Sequence, residues 1–268
     1  MQIVAMTTSF ATCTHPAVRM FVKHFWQTEG RPGYQVENIL PKGEIEMIFS
    51  FGERVGYQRG IATEGYTPRC FITGISNTPV RLVIPRHQSF FGVVLHPAAV
   101  KKLLSAPSGI FLNTITDLEL VKKYFTTLWH QLASCKRFEE RIDLMQQWML
   151  GRVSAVHQQE FALSSFLDSR NQETTVAGLA ASVYYSTRHL HRKVHELFGM
   201  SSEVLLRYRR YKQALNSVHH SNDTLTRIGY ECGYYDQAHF TREFKDYTGL
   251  TPGTYRQQRS QLPGHLYA

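Results

Sequence analysis

No stretch of this sequence holds about 18 consecutive apolar residues, the length a membrane-spanning helix needs. A helical membrane protein is thereby excluded. Cysteine is scarce and scattered: Cys13, Cys70, Cys135 and Cys232 lie far apart, with no pair at redox or zinc-finger spacing. Such usage fits reduced thiols better than a disulfide framework. The opening residues, MQIVAMTTSFATCTHP, have neither a basic start nor a sustained apolar core. No secretory leader is expected, and the expected location is the cytoplasm. Four histidines of the N-terminal half, His15, His24, His87 and His96, lack a second ligand at metal spacing. The only His-x-His pair, His189 and His191, sits in a helical pattern, where residues two apart do not share a face. Neither a metal nor a cofactor is expected, and no residue stands out as catalytic.

What is present bounds the rest. A chain of 268 residues suits two ordinary domains, and a hydrophobic content of 43% supplies their cores. The formal net charge of +9 invites an anionic partner such as nucleic acid. The excess is not concentrated: residues 160–268 carry thirteen Lys and Arg against ten Asp and Glu. Where the arginines fall therefore matters more than their total.

The informative stretch is Leu225 to Arg256, LTRIGYECGYYDQAHFTREFKDYTGLTPGTYR. Leu225, Ile228 and Cys232 recur at helical spacing. Gly233 follows where the chain must turn, and Asp236 is placed to cap a second helix. Phe240 and Phe244 lie one turn apart on that helix, facing inward, with Arg242 turned away. Gly249 stops it and Pro252 opens a short further helix. This is a helix-turn-helix, whose second helix commonly enters the DNA major groove. The pattern occurs twice. Fifty residues earlier, Leu190, Arg192, Val194 and Gly199 stand where Phe240, Arg242, Phe244 and Gly249 do, and Ser186 stands at the Asp236 cap. Leu179 answers Ile228, with one extra residue in the second turn. An internal repeat of this kind outweighs either copy alone.

At these residues the chain resembles the AraC/XylS family of bacterial transcription regulators. GYYDQAHFTREFK followed by TGLTPGTYR is similar to that family's signature, and the resemblance covers about residues 158 to 258. It implies two helix-turn-helix units joined by one long helix, here Ser202 to His219. At about 1.5 Å per residue that helix spans roughly 27 Å. It would help set the two recognition helices about one DNA turn, ~34 Å, apart. Three positions depart from the family's habit: Tyr184 replaces a small residue in the first turn, Ser202 a proline, and Tyr211 an aliphatic residue.

The first half, to about residue 112, reads mainly as strands. GEIEMIFSFG begins with alternation and becomes continuously apolar, and PVRLVIP and SFFGVVLHP look like two more. Gly and Pro punctuate them, which suggests a small β-barrel or sandwich. HPAVRMFVKHFWQ, LPKGEIEMIF and FFGVVLHPAAVKKLL resemble the sensor domains of one branch of the same family, over residues 13 to 110. That resemblance implies a cupin-like fold. From Pro97 to Arg152 the pattern turns helical. Leu118, Val121, Phe125, Leu128 and Leu132 are spaced 3, 4, 3, 4, and Ile142, Met145 and Met149 continue the seam on a second helix. Such a seam pairs helices. Either both helices pack on the β-domain, or, as the resemblance implies, they form a dimerisation hairpin and the protein is a homodimer. The expected fold class is α+β in two domains. Residues 1–152 form a cupin-like β-barrel with a helical hairpin, and residues 158–268 an all-α double helix-turn-helix domain.

On the recognition helices, an inward Leu190 leaves Arg188, His191 and Arg192 outside. An inward Phe240 leaves Ala238, His239, Thr241 and Arg242. Arg reads guanine O6 and N7 together. The family's base-reading slots map onto Arg188, His191, Arg192, Ala238, His239 and Arg242. Ser186, Thr187, Gln237 and Arg209 are candidate phosphate contacts, since helix N-termini offer free N–H groups; Ser186 is equally explained as a plain N-cap. In the N-terminal half Trp26, Tyr34, Phe49 and Phe51 are candidates to line an effector cavity, with Glu46, Arg81 or Arg86 holding a polar group of a small molecule. The function expected is a sequence-specific regulator bound to double-stranded DNA and controlled by an effector. Two other classes stay open. A DNA-repair methyltransferase fused to such a domain needs an activated cysteine, and no Pro-Cys-x-Arg-like sequence is present. A cupin-type enzyme needs a metal, which metal analysis of purified protein detects.

Overall fold

The computed structural model describes residues 6–60, 63–152, 157–169 and 174–268. Part of the opening stretch read for a leader, and part of the connection after Gly151, lie outside the described residues. The N-terminal half holds β1 (Thr7–Ala11), β2 (Val22–Gly30), β3 (Val36–Ile39), β4 (Ile45–Ser50), β5 (Gly56–Arg59) and β6 (Thr63–Tyr66). It continues with β7 (Cys70–Thr73), β8 (Val80–Val83), β9 (Gln88–Leu95) and, after α1 (Pro97–Leu104) and a 3-10 turn (Ser108–Phe111), β10 (Ile115–Asp117). Three helices follow, α2 (Leu118–Val121), α3 (Tyr124–Ser134) and α4 (Phe138–Leu150). The strands make two antiparallel sheets. One has the order β1-β2-β9-β4-β7-β10; the other contains β3-β8-β5-β6. They do not close into one barrel, so the two-sheet form of the expectation is the one found.

Strand alternation assigns the two faces of the larger sheet. On β4 the odd residues Ile45, Met47 and Phe49 join the main apolar core, whereas Glu46 and Ile48 face the space between the sheets. Phe91 on β9 stacks with Phe25 and meets Phe138 of α4 edge-on. Trp129 of α3 donates to the Ser50 carbonyl at 2.8 Å. The hairpin α3–α4 thus covers one face of this sheet. Leu118, Phe125, Leu128, Leu132, Met145 and Met149 are all buried inside the single chain. These residues of the seam belong to the chain's own core, whereas Val121 and Ile142 on the same seam are half-buried.

The C-terminal half holds α5 (Gln158–Ser164), α6 (Val176–Ser182), α7 (Thr187–Phe198), α8 (Ser202–His220), α9 (Leu225–Glu231), α10 (Gln237–Thr248) and α11 (Pro252–Gln258). It is not all-α. After α11 the chain runs back to the N-terminal half, where β11 (His265–Tyr267) pairs antiparallel with β3 and extends the second sheet to β11-β3-β8-β5-β6. The Ala268 carbonyl accepts from Val36 N, and Ala268 N donates back to the Val36 carbonyl, both at 2.9 Å. One apolar cluster runs through both halves without a break. On α8 the Tyr208 hydroxyl donates to the Ser76 carbonyl at 2.8 Å and the Tyr211 hydroxyl to the Pro41 carbonyl at 3.0 Å. Lys23 and Lys212 converge on Asp168 across the same boundary.

Candidate nucleic-acid interface

Each recognition helix is built by the same local chemistry. In the first unit, Thr175 caps α6 by accepting from Gly178 N, and Ser186 caps α7 by accepting from His189 N at 3.2 Å. Leu179, Leu190 and Val194 are buried, which turns Arg188, His191 and Arg192 outward, all exposed. In the second unit, Thr224 caps α9, and Asp236 caps α10 by accepting from His239 N at 2.7 Å. Ile228, Phe240 and Phe244 are buried; Ala238 and Arg242 are exposed, and His239 and Thr241 half-buried. The turns match as well: Tyr184 at φ 56° and Gly233 at φ 81° both adopt the left-handed conformation. Thr187 and Gln237, each the first residue of its helix, are exposed at the N-termini; Gln237 accepts a hydrogen bond from the Thr226 hydroxyl at 2.9 Å.

The two units differ in surroundings. His191 shares a 2.9 Å hydrogen bond with the Ser202 hydroxyl at the start of α8, which fixes the imidazole at the junction of two helices. Arg242 stands at a crevice whose other wall includes Asn77 and Thr78 of the N-terminal half. The helix α10 is tied to α8 by a two-pronged ion pair, Arg210 to Glu243 at 2.6 and 3.1 Å. One candidate does not belong to this surface. Arg209 is buried, its guanidinium lies 4.5 Å over the Phe166 ring and it donates to the Ser169 carbonyl at 3.2 Å. It packs the base of α8 and has no access to a phosphate, because its helical position faces the core.

A second feature lies between the two sheets, a cavity of about 470 Å³. Trp26, Tyr34 and Glu46 line it, as the sequence suggested. Phe49 does not, because odd positions of β4 face the helices, and Arg81 and Arg86 are exposed on the outside. The Trp26 indole donates to Glu46 at 2.9 Å, and Gly92 across the sheet leaves space that a Cβ would deny the ring. Lys42 lies 3.0 Å from Glu44 and 3.1 Å from Glu46. Burial opposes charge on Lys42 and Glu44, but the attraction of neighbouring opposite charges prevails: the Lys42 ammonium is pushed up and the Glu44 carboxyl held below the usual range. At the other side Glu37 meets His265 at 2.6 Å, and Tyr34 stacks on Tyr267 at 4.1 Å. Lys42, Glu37 and the tail residues His265 and Tyr267 carried no signal in the sequence, since strand register and the return of the tail are tertiary facts. Among the described residues, Cys70, Asp117 and Glu119 form a group of potential metal ligands. Glu119 is already held by Arg69 at 2.6 and 2.9 Å, and burial, then the nearby carboxylates, pushes the Cys70 thiol up to about 12.

Two capped helix-turn-helix units joined by one continuous helix make the C-terminal half a double helix-turn-helix domain. Residues 179–258 match the family described as "Helix-turn-helix domain", and residues 13–117 match a family described as a domain of unknown function. The chain is 29% identical over 92 residues to the HTH-type transcriptional activator RhaS of Salmonella arizonae, which covers 34% of this chain and 33% of that protein. With RhaS of Escherichia fergusonii it shares 34% over 74 residues, 28% of this chain and 27% of that protein. The chain thus spans about a third of the length of the curated relatives it matches. Among solved structures it overlies ToxT from Vibrio cholerae O395 with a TM-score of 0.46 at 8% identity, covering 96% of this chain and 99% of that one. No helix of the described residues is long and apolar enough to cross a membrane.

Proposed function

We propose that this protein is a sequence-specific DNA-binding transcription regulator, acting in the cytoplasm, with residues 158–268 reading DNA and residues 1–152 sensing a small molecule. The observation that carries the reading is the paired presentation of Arg192 and Arg242, exposed at repeat-equivalent positions of two capped helices. Arg188, Arg192 and His191 face the bases from the first unit; Ala238, His239, Thr241 and Arg242 do so from the second. Ser186, Thr187 and Gln237 approach phosphates, where the N-terminal N–H groups of the helices add their own attraction. No group is assigned a catalytic step. The cavity lined by Trp26, Tyr34 and Glu46 is the effector site.

Alanine offers only apolar contact at its slot, so the second sub-site is the more permissive one. The test is selection of bound duplexes from a random pool, followed by affinities for every single base-pair change at one salt concentration. A defined site is expected, with losses of ~1–3 kcal/mol per wrong pair beneath the first unit and smaller ones beneath the second. Binding should fall steeply with salt. Enrichment of no sequence would refute the reading, and a second sub-site as strict as the first would refute the asymmetry.

A further inference from the structure

Both recognition helices are tied to α8, α7 through His191 and Ser202 and α10 through Glu243 and Arg210, but α7 has a second hold. Glu243 on α10 is gripped from within the C-terminal domain by Arg210. The C-terminal end of α7 is gripped by the N-terminal domain as well. The buried Ser108 hydroxyl donates to the Leu197 carbonyl at 2.7 Å. That carbonyl is among the last four of α7, which have no partner inside the helix. Beside it Gly109 lies backbone-to-backbone against Gly199, the left-handed C-cap. A Cβ built on Gly109 would overlap the His195 carbonyl oxygen and stand 2.7 Å from Gly199 N. Lys101 adds an ion pair to Glu196 at 2.5 Å. This junction has no slack for a side chain.

The same turn is seated on the cavity wall. A Cβ on Gly74 would overlap the Phe111 carbonyl oxygen, and Asn113 N donates to the Ile75 carbonyl at 2.8 Å. Gly74 and Ser76 line the cavity. From the cavity wall to α7 the path is therefore one run of close backbone contacts. Close-packed contacts of this kind transmit displacement rather than absorb it.

We infer that the turn Ser108–Phe111 is a positioning element for base reading, which sets the seat of α7 and couples it to the wall of the cavity. Ser108 and Gly109 are positioning residues that touch no base. This rests on the DNA-reading function proposed above. Two-pronged contacts from Arg188 and Arg192 demand a fixed helix seat, because hydrogen bonds weaken steeply with angle. Among the described residues no hydrogen bond runs from the N-terminal domain to α10, which faces Asn77 and Thr78 only across the crevice, so the hold on the first unit is the tighter one.

The test uses the full-length chain and a duplex enriched from a random pool. If the unmodified chain enriches nothing, the DNA-reading function and this inference fall together. On an enriched duplex, Ser108→Ala is expected to weaken binding roughly threefold to tenfold. In double-mutant cycles its effect should shrink when Arg192→Ala is already present and persist in full beside Arg242→Ala. Base-pair discrimination should flatten beneath the first unit only. Gly109→Ala, which has to displace α7, should show the same pattern more strongly; Ser108→Ala decides the matter if that variant does not fold. Should Ser108→Ala add independently to Arg192→Ala, blunt both sub-sites alike, or lower the melting temperature with base preference intact, the inference is overturned while DNA reading stands.

Discussion

Tyr184 occupies, at φ 56°, the turn position that Gly233 takes at φ 81° in the second unit. A side chain there pays a steric cost of about 1–2 kcal/mol, and its ring is 86% exposed, so little packing offsets it. Tyr184→Gly is expected to stabilise the chain by about 0.5–1 kcal/mol after the added freedom of the unfolded chain is counted. A urea midpoint that falls instead would show the ring to be needed. The other two departures from the family's habit have partners: Ser202 holds His191, and Tyr211 reaches Pro41. His96 is a different case. It precedes α1, its ring lies 5.2 Å from that of Phe161, and burial first, then nearby Lys23, lowers its pKa to about 4, with Asp168 opposing. An unfolded histidine titrates near 6.5, so between about 6.5 and 4 the unfolded state binds more protons and stability falls as pH falls. The expected loss across that window is roughly 1–3 kcal/mol. His96→Phe should flatten it in denaturation curves taken at several pH values; an unchanged slope would assign the acid sensitivity elsewhere.

Among the elements, the hairpin α3–α4 shows how one pattern serves two outcomes. A heptad-like spacing specifies an apolar stripe, and nothing in the spacing says whether a second copy or a sheet covers it. Here the sheet does. Phe125→Glu places a charge in the chain's own core and is expected to unfold the N-terminal domain rather than release a monomer. A folded, monodisperse Phe125→Glu protein of smaller mass, seen by circular dichroism and sedimentation, would restore the seam to an interface. The recognition helices were legible because their signals are local. Caps, inward anchors and outward arginines all fall within a dozen residues of one another. The cavity was legible only in part, because alternation separates Glu46 from Phe49 on a strand whose register the sequence does not reveal.

For the whole molecule, the decisive feature is that one apolar cluster runs through both halves and that β11 ties the end of the chain to β3. A shared core predicts a single cooperative transition. Heating should therefore give one calorimetric peak for the full chain, and deletion of residues 265–268 should lower its midpoint by several degrees, since a strand and the His265–Glu37 pair are lost. Two resolved peaks in the intact chain would show that the halves melt independently.

What the sequence determined alone was whatever repeats within about fifteen residues: the two helix-turn-helix units, their caps, the long helix between them and the strand-rich first half. Each is specified by near-neighbour sterics and by which face of a helix or strand is apolar. What only the tertiary structure decided was pairing at a distance. It placed Arg209 in the core, closed the hairpin on the sheet, brought the tail back as a strand and set Gly109 against Gly199. Those outcomes depend on which surfaces meet, and meeting is settled by the total burial of the folded chain rather than by any local pattern.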